Sequence, residues 1–200
     1  MAAIAWPEAP ERIPIHWGFT GEPDNYTGKI GLFYLPLIML GVYVLLLFLP
    51  RIDPRRASYE KFKGSYTVIR MALVITFFCI QIFTVLWVFD VIVNMNVAVP
   101  IIIGILLMVL GNYFGKFRPN WFTGIKTPWT LSSTESWNKT HRLGGRLFVV
   151  LGLLMVVAAP FQETWLFISL GVFLGIIIVT LYVYSYVIWK KDPQKVTESR

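Results

Sequence analysis

Long apolar runs alternate with short polar ones along this chain, and several runs are of membrane-crossing length. Residues 30–49 form an uncharged run of 20, about the length a helix needs to cross the hydrocarbon of a bilayer. Pro36 lies inside it and is expected to kink the helix, which lipid-embedded helices tolerate. Residues 68–89 predict a second span, with Arg70 near its start, placed to snorkel, and Gln81 near its middle, placed to bond a neighbouring helix. Residues 97–114 predict a third, with Pro100 in its first turn. The apolar run 147–161 has only 15 residues and is too short to cross alone. Its helix must begin earlier, inside the preceding polar stretch. There Ser132-Ser133-Thr134-Glu135 fits a capping box with Ser132 as N-cap, so a helix starting near Ser133 would run through the interface and then enter the bilayer. Residues 164–189 predict the fifth span, in which Gly171 and Gly175 permit close helix contact.

The polar intervals complete the outline. Residues 1–29 are rich in Pro and Gly; Ile13-Pro14-Ile15-His16-Trp17 reads as extended and Thr20-Gly21-Glu22-Pro23-Asp24 as a turn. Residues 50–67 form a basic loop, residues 90–96 a short turn without bases, and residues 191–200 a polar tail. The expected fold is an all-α polytopic membrane protein, a bundle of five transmembrane helices. It divides into an N-terminal segment (1–29), three helices (30–110), a long loop with two helices (111–190) and a tail. A β-barrel would instead alternate apolar and polar positions over ~10-residue strands.

Composition agrees. The chain is 56% hydrophobic and 14% charged, against about a quarter charged in soluble domains. A net charge of +7 would indicate nucleic acid in a soluble protein; here the enrichment of bases in cytoplasmic loops explains it, and no nucleic-acid partner is expected. Sixteen of the 18 Lys and Arg residues lie in or beside residues 50–67, 115–146 and the tail, the exceptions being Arg12 and Lys29. That asymmetry predicts an N-out, C-in orientation with a long cytoplasmic loop between helices 3 and 4. No cleavable signal peptide is visible. Cys79, the single cysteine, reads as a small buried hydrophobe. No nucleophile motif, HExxH, phosphate-binding glycine loop or dinucleotide fingerprint is present, and no cofactor or metal is expected.

The stretch from Gly111 to Arg146 is too elaborate for a connector. It holds Trp121, Trp129 and Trp137, which interface anchoring alone would explain, but also Asn112, Asn120, Thr127 and His141, which it would not. His141 and Trp137, four apart, share a helical face, leaving His141 as either a titrating group or a structural hydrogen bonder. Lys116, Arg118, Lys126, Lys139, Arg142 and Arg146 make a basic surface suited to anionic lipid headgroups or to a docking partner. At the other end, His16 is either a loop histidine packed on Trp17 or, with Asp24, a contact for an extracellular ligand.

These residues carry a family resemblance. Gly111-Asn112-Tyr113, then Arg118-Pro119-Asn120-Trp121-Phe122-Thr123-Gly124-Ile125-Lys126-Thr127-Pro128-Trp129-Thr130-Leu131, then Trp137-Asn138-Lys139-Thr140-His141-Arg142-Leu143-Gly144-Gly145, resemble the signature of the SdpI family of bacterial membrane immunity proteins. Ile13-Pro14-Ile15-His16-Trp17-Gly18 with Gly21-Glu22-Pro23-Asp24 resembles the small domain of unknown function that often precedes it. Longer relatives usually carry a membrane helix before that domain. Here only 12 residues precede Ile13, so the chain is expected to be either naturally short or missing its start. The resemblance implies a multi-pass protein of the bacterial cytoplasmic membrane that protects a producing cell from a secreted peptide toxin. It further implies, for some members, capture of a transcriptional repressor at the inner face. His16, Trp17 and Asp24 are then the toxin-binding candidates. Asn112, Arg118, Asn120, Trp121, Lys126, Thr127, Trp129, Trp137, His141 and Arg142 are the structural or docking candidates, and a homo-oligomer is an open possibility. The rival readings are a small exporter of amphiphilic peptides and a membrane enzyme working around His141.

Overall fold

The computed structural model describes residues 1–18, 21–91 and 93–195. Five of its helices are long and apolar enough to cross a membrane, as the apolar runs predict, and the chain is a multi-pass membrane protein. They are α2 (Tyr34–Ile52, entered through a 3-10 turn Lys29–Phe33), α4 (Lys63–Val88), α5 (Met95–Phe114), α7 (Thr134–Ala158, continued by a 3-10 turn Ala159–Phe161) and α8 (Thr164–Lys191). Three short helices, α1 (Ala2–Ala5), α3 (Ala57–Glu60) and α6 (Pro128–Ser132), sit outside the bundle. Each long helix packs on the next: α2 on α4, α4 on α5, α5 on α7 and α7 on α8.

The tightest seam is α5 against α7, and glycine creates it. A Cβ on Gly104 would lie 2.6 Å from the Gly152 carbonyl oxygen, and one on Gly111 would strike the Gly145 carbonyl. Only backbones without side chains approach this closely. The expected pair on the fifth span behaves otherwise. Gly171 and Gly175 face open space, so within one molecule they bring no helix together. Gln81 behaves as expected: its Nε2 donates to the Leu32 carbonyl at 3.3 Å.

Residues 1–29 are more ordered than their polarity predicts. Strands β1 (Arg12–Trp17) and β2 (Pro23–Gly28) form an antiparallel hairpin. The extended reading of 13–17 holds. Pro23 and Asp24 belong to a strand rather than a turn, while Thr20 lies outside the described residues. The hairpin is anchored because Ile13 and Leu32 are fully buried with Ala5 against Val85 and Val88 of α4. Burial of apolar area at about 25 cal/mol per Å² holds this end to the bundle.

Helix boundaries depart from the apolar runs in a consistent way. α4 begins at Lys63 and α5 at Met95, earlier than residues 68 and 97. Apolarity marks where hydrocarbon begins; backbone hydrogen bonding carries the helix further. The earlier start moves Pro100 into the helix interior, where it has no N–H to contribute to the helical ladder. Pro36 moves the other way, into the first turn of α2, where no intrahelical donor is lost. Ser132 ends α6, and the N-cap of α7 is Ser133, whose hydroxyl accepts from the Ser136 N–H. The N-cap is one residue later than expected and the expected capping box is not formed: Glu135 falls at the second helical position and bonds Lys139 instead, because α6 and its own cap consume the residues before Ser133. The turn expected at 90–96 is present at Asp90, in a left-handed conformation with φ 56°; Ile92 within it lies outside the described residues, as do residues 196–200 of the tail.

Candidate functional site

At the basic end, the ends of α7 and α8 join the connectors 53–62 and 115–133 in a polar cap. Its hydrogen bonds begin with local ones. Thr127 caps α6 reciprocally: the Thr130 N–H donates to its hydroxyl at 3.1 Å and its own N–H donates to the Thr130 hydroxyl at 2.8 Å. Pro128 follows at the first helical position, where it is favoured. The caps then bond to α8. The Thr127 and Ser185 hydroxyls lie 2.9 Å apart, and the Ser136 hydroxyl donates to the Ser185 carbonyl at 2.8 Å. Ser133 donates to the Asp192 carboxylate, which holds that carboxyl below its usual range.

His141 closes the cap from within. It is fully buried and stacked on Trp137 with ring centroids 4.1 Å apart, as their four-residue spacing predicts. Its Nδ1 lies 2.8 Å from the Trp137 carbonyl, and its Nε2 accepts from the Ile125 N–H at 2.9 Å. One nitrogen must donate and the other accept, so the ring is the neutral Nδ1–H form. Gly124 makes room: its φ is +106° and a Cβ there would strike Nε2. Trp137 in turn donates its indole N–H to the Phe117 carbonyl at 3.0 Å. The imidazole has no free nitrogen for a substrate.

A second buried node ties in the 53–62 connector. Asp53 accepts from the Arg55 N–H at 2.7 Å, the Trp121 N–H at 2.9 Å and the Tyr59 hydroxyl at 3.0 Å. Asn120, fully buried, takes the Phe122 and Thr123 N–H groups on its Oδ1 and donates to the Arg118 carbonyl. The Tyr59 hydroxyl also approaches that Oδ1, at 3.2 Å. Burial first, then the hydrogen bond and charge of Asp53, push the Tyr59 hydroxyl well above the usual tyrosine range. Arg55 spans the gap by donating to the Leu131 carbonyl at 3.0 Å.

The ten candidates in the signature therefore separate. Asn120, Thr127, Trp137 and His141 are buried and bonded. Trp129, half-buried, packs on Tyr182 and Tyr186 of α8. Trp121 is exposed beneath the Arg55 guanidinium, and Lys126 is exposed with its ammonium on the Phe122 carbonyl. Arg118 is exposed. Asn112 and Arg142 are also exposed and meet, with Arg146, along a groove floored by Gly111, Gly115 and Gly145. Sequence reasoning missed Asp53, Tyr59, Ser185 and Asp192. The available signal was Asp53 itself, one acid amid Arg51, Arg55 and Arg56, where a purely basic loop needs none.

The hairpin end holds its polar residues differently. His16 Nδ1 lies 2.6 Å from Asp24 Oδ1, with the two side chains 66% and 52% exposed. They line, with Trp17, a cleft of about 540 Å³ whose other wall is Met95, Val99 and Pro100 of α5 and Phe167 of α8. The three hairpin candidates are thus brought together on one mostly apolar depression. Among the described residues no group of three or more His, Cys, Asp or Glu side chains could hold a metal.

A five-span bundle with a glycine seam, a buried polar cap and a small hairpin domain defines a compact class of multi-pass membrane protein. Residues 116–185 match the model of the SdpI/YfhL protein family, and residues 1–40 match that of a domain of unknown function, DUF1648. Both matches fall on the two stretches that carry the family resemblance, the signature loop with the helices after it and the amino-terminal segment. It is 26% identical over 185 residues to the Immunity protein SdpI of Bacillus subtilis (strain 168), covering 92% of this chain and 87% of that relative. No solved structure matches it significantly.

Proposed function

We propose that this protein confers immunity to a secreted peptide toxin from within the bacterial cytoplasmic membrane. The observation that carries the reading is the similarity to an immunity protein along nearly the whole chain. The bias of Lys and Arg toward the cap end supports a cytoplasmic cap and an external hairpin. In that orientation the cleft at His16, Trp17 and Asp24 is open to an arriving peptide. Its apolar walls fit the apolar face of an amphiphilic toxin, and Asp24 offers a carboxylate to a cationic side chain. The exposed bases of the cap, Lys116, Arg118 and Arg142 among them, give a cytoplasmic regulator a surface to dock on.

The rival readings find less support. An exporter needs a polar path, yet Gln81 is bonded to Leu32 near the hairpin and Asn112 sits at the cap end. Enzymatic use of His141 needs an accessible nitrogen, and both nitrogens are engaged. The test is survival of toxin-exposed cells making the unaltered protein, His16→Ala or Asp24→Asn. Protection by the unaltered protein and its loss in both variants is expected. Cells fully sensitive to every candidate peptide toxin despite making the unaltered protein would end the immunity reading.

A further inference from the structure

We infer that the cap contains a binding site for a phosphate-type oxyanion, formed where Arg55, Lys61 and Arg118 converge. This goes beyond the immunity reading and does not rest on it. The three cations line one polar cleft of about 400 Å³ together with Ser58, Ser133 and Thr134, and among the described residues no carboxylate lines it. The basic side chains of Lys61 and Arg118 make no hydrogen bond or ion pair within the described protein, and neither do the hydroxyls of Ser58 and Thr134. Arg55 uses one nitrogen on the Leu131 carbonyl and keeps the rest of its fork. The neighbouring acids are committed elsewhere. Asp53 is turned inward onto three donors. Asp192 takes the Ser133 hydroxyl and the Gln194 N–H. Glu60 faces Lys63.

Three like charges held in one depression repel one another unless an anion joins them. An arginine fork matches the oxygens of a tetrahedral oxyanion in a bidentate way, and a lysine adds a point charge. The cleft is polar, so the ligand is the anionic group itself rather than an apolar chain. The amino end of α7 is not needed for the site, being satisfied by its own caps. Arg55 and Arg118 follow the ends of two membrane helices, α2 and α5. The phosphate can therefore come from solution or from an anionic lipid headgroup; both present the same chemistry to the site.

The experiment uses the full chain purified in neutral detergent, titrated with inorganic phosphate at constant ionic strength with chloride as the compensating salt. Calorimetry and thermal unfolding are the readouts. A second arm compares thermal unfolding in nanodiscs of phosphatidylcholine with and without phosphatidylglycerol. Arg118→Gln and Lys61→Gln are each expected to weaken binding about tenfold, the scale of one charge-assisted hydrogen bond. Arg146→Gln, the same charge change outside the cleft, is expected to leave it unaltered. Phosphate binding with this pattern assigns a soluble ligand. The same pattern only in the phosphatidylglycerol arm assigns a headgroup. Binding in neither arm, or equal weakening by Arg146→Gln, overturns the site. Among the described residues the Lys61 ammonium makes no hydrogen bond or ion pair, so Lys61→Gln decides the matter even if Arg118→Gln fails to fold.

Discussion

The protein's two histidines lie toward opposite ends of the bundle and are held in opposite ways. His141 is fully buried, stacked on Trp137 and bonded through both nitrogens. His16 is two-thirds exposed and bonded to one carboxylate. The same contrast runs through their surroundings. Around His141, polar side chains are removed from water and bonded to one another; at His16, a single exposed hydrogen bond to Asp24 sits on an open apolar cleft. A buried polar group without its partner loses its hydration for nothing, whereas an exposed one exchanges a partner for water at little cost. The cap is therefore where substitution should unfold the protein, and the hairpin is where substitution should change only what the protein meets.

The sharpest way to break this contrast is His141→Ala. It removes a buried ring and strands the Ile125 N–H, and it should cost ~3–5 kcal/mol, read as a lowered midpoint of thermal unfolding in detergent. A loss under ~1 kcal/mol would mean the cap is not held from within.

Gly145→Val should come next, at about 1–3 kcal/mol or more. The added side chain meets the Gly111 carbonyl and forces α5 from α7. Gly171→Val, on the face without contacts, should change the monomer's midpoint little. If the two variants behave alike, the seam is not where the bundle closes.

Tyr59→Phe should cost about 1–2 kcal/mol near neutral pH, the scale of a buried hydrogen bond. It also has a pH signature. The folded-state value of Tyr59 is raised above its unfolded one, so the stability it adds is full below pH ~10 and is lost as pH rises above that. Alkaline unfolding curves of the unaltered protein should be steeper than those of Tyr59→Phe.

His16→Ala should be smallest in stability, within ~0.5 kcal/mol as for exposed pairs, and largest in protection from toxin. Equal loss of fold and protection would erase the distinction between the ends.

Much of this organisation is legible in the chain. The five spans follow from runs of apolar residues because lipid leaves the backbone no other way to satisfy its hydrogen bonds. The stacking of His141 on Trp137 follows from a spacing of four. Helix boundaries were less legible at Met95 and Lys63, since polar residues continue a helix as readily as apolar ones. The polar cap was legible as an anomaly, too many amides, hydroxyls and indoles for a connector, but not as a set of partners. Asp53 and Asn120 are 67 positions apart, and nothing local in either announces that Tyr59 and the Trp121 backbone will join them.

The sequence alone determined the number of membrane helices and the charge asymmetry, because each depends on composition along the chain. The tertiary structure alone decided which glycines bring helices together. Gly104, Gly111, Gly145 and Gly152 meet backbones across the α5–α7 seam, while Gly171 and Gly175, with the more familiar spacing, meet nothing. It also decided which signature residues face inward. Spacing places side chains on the face of one helix, but burial depends on what the other helices bring against that face.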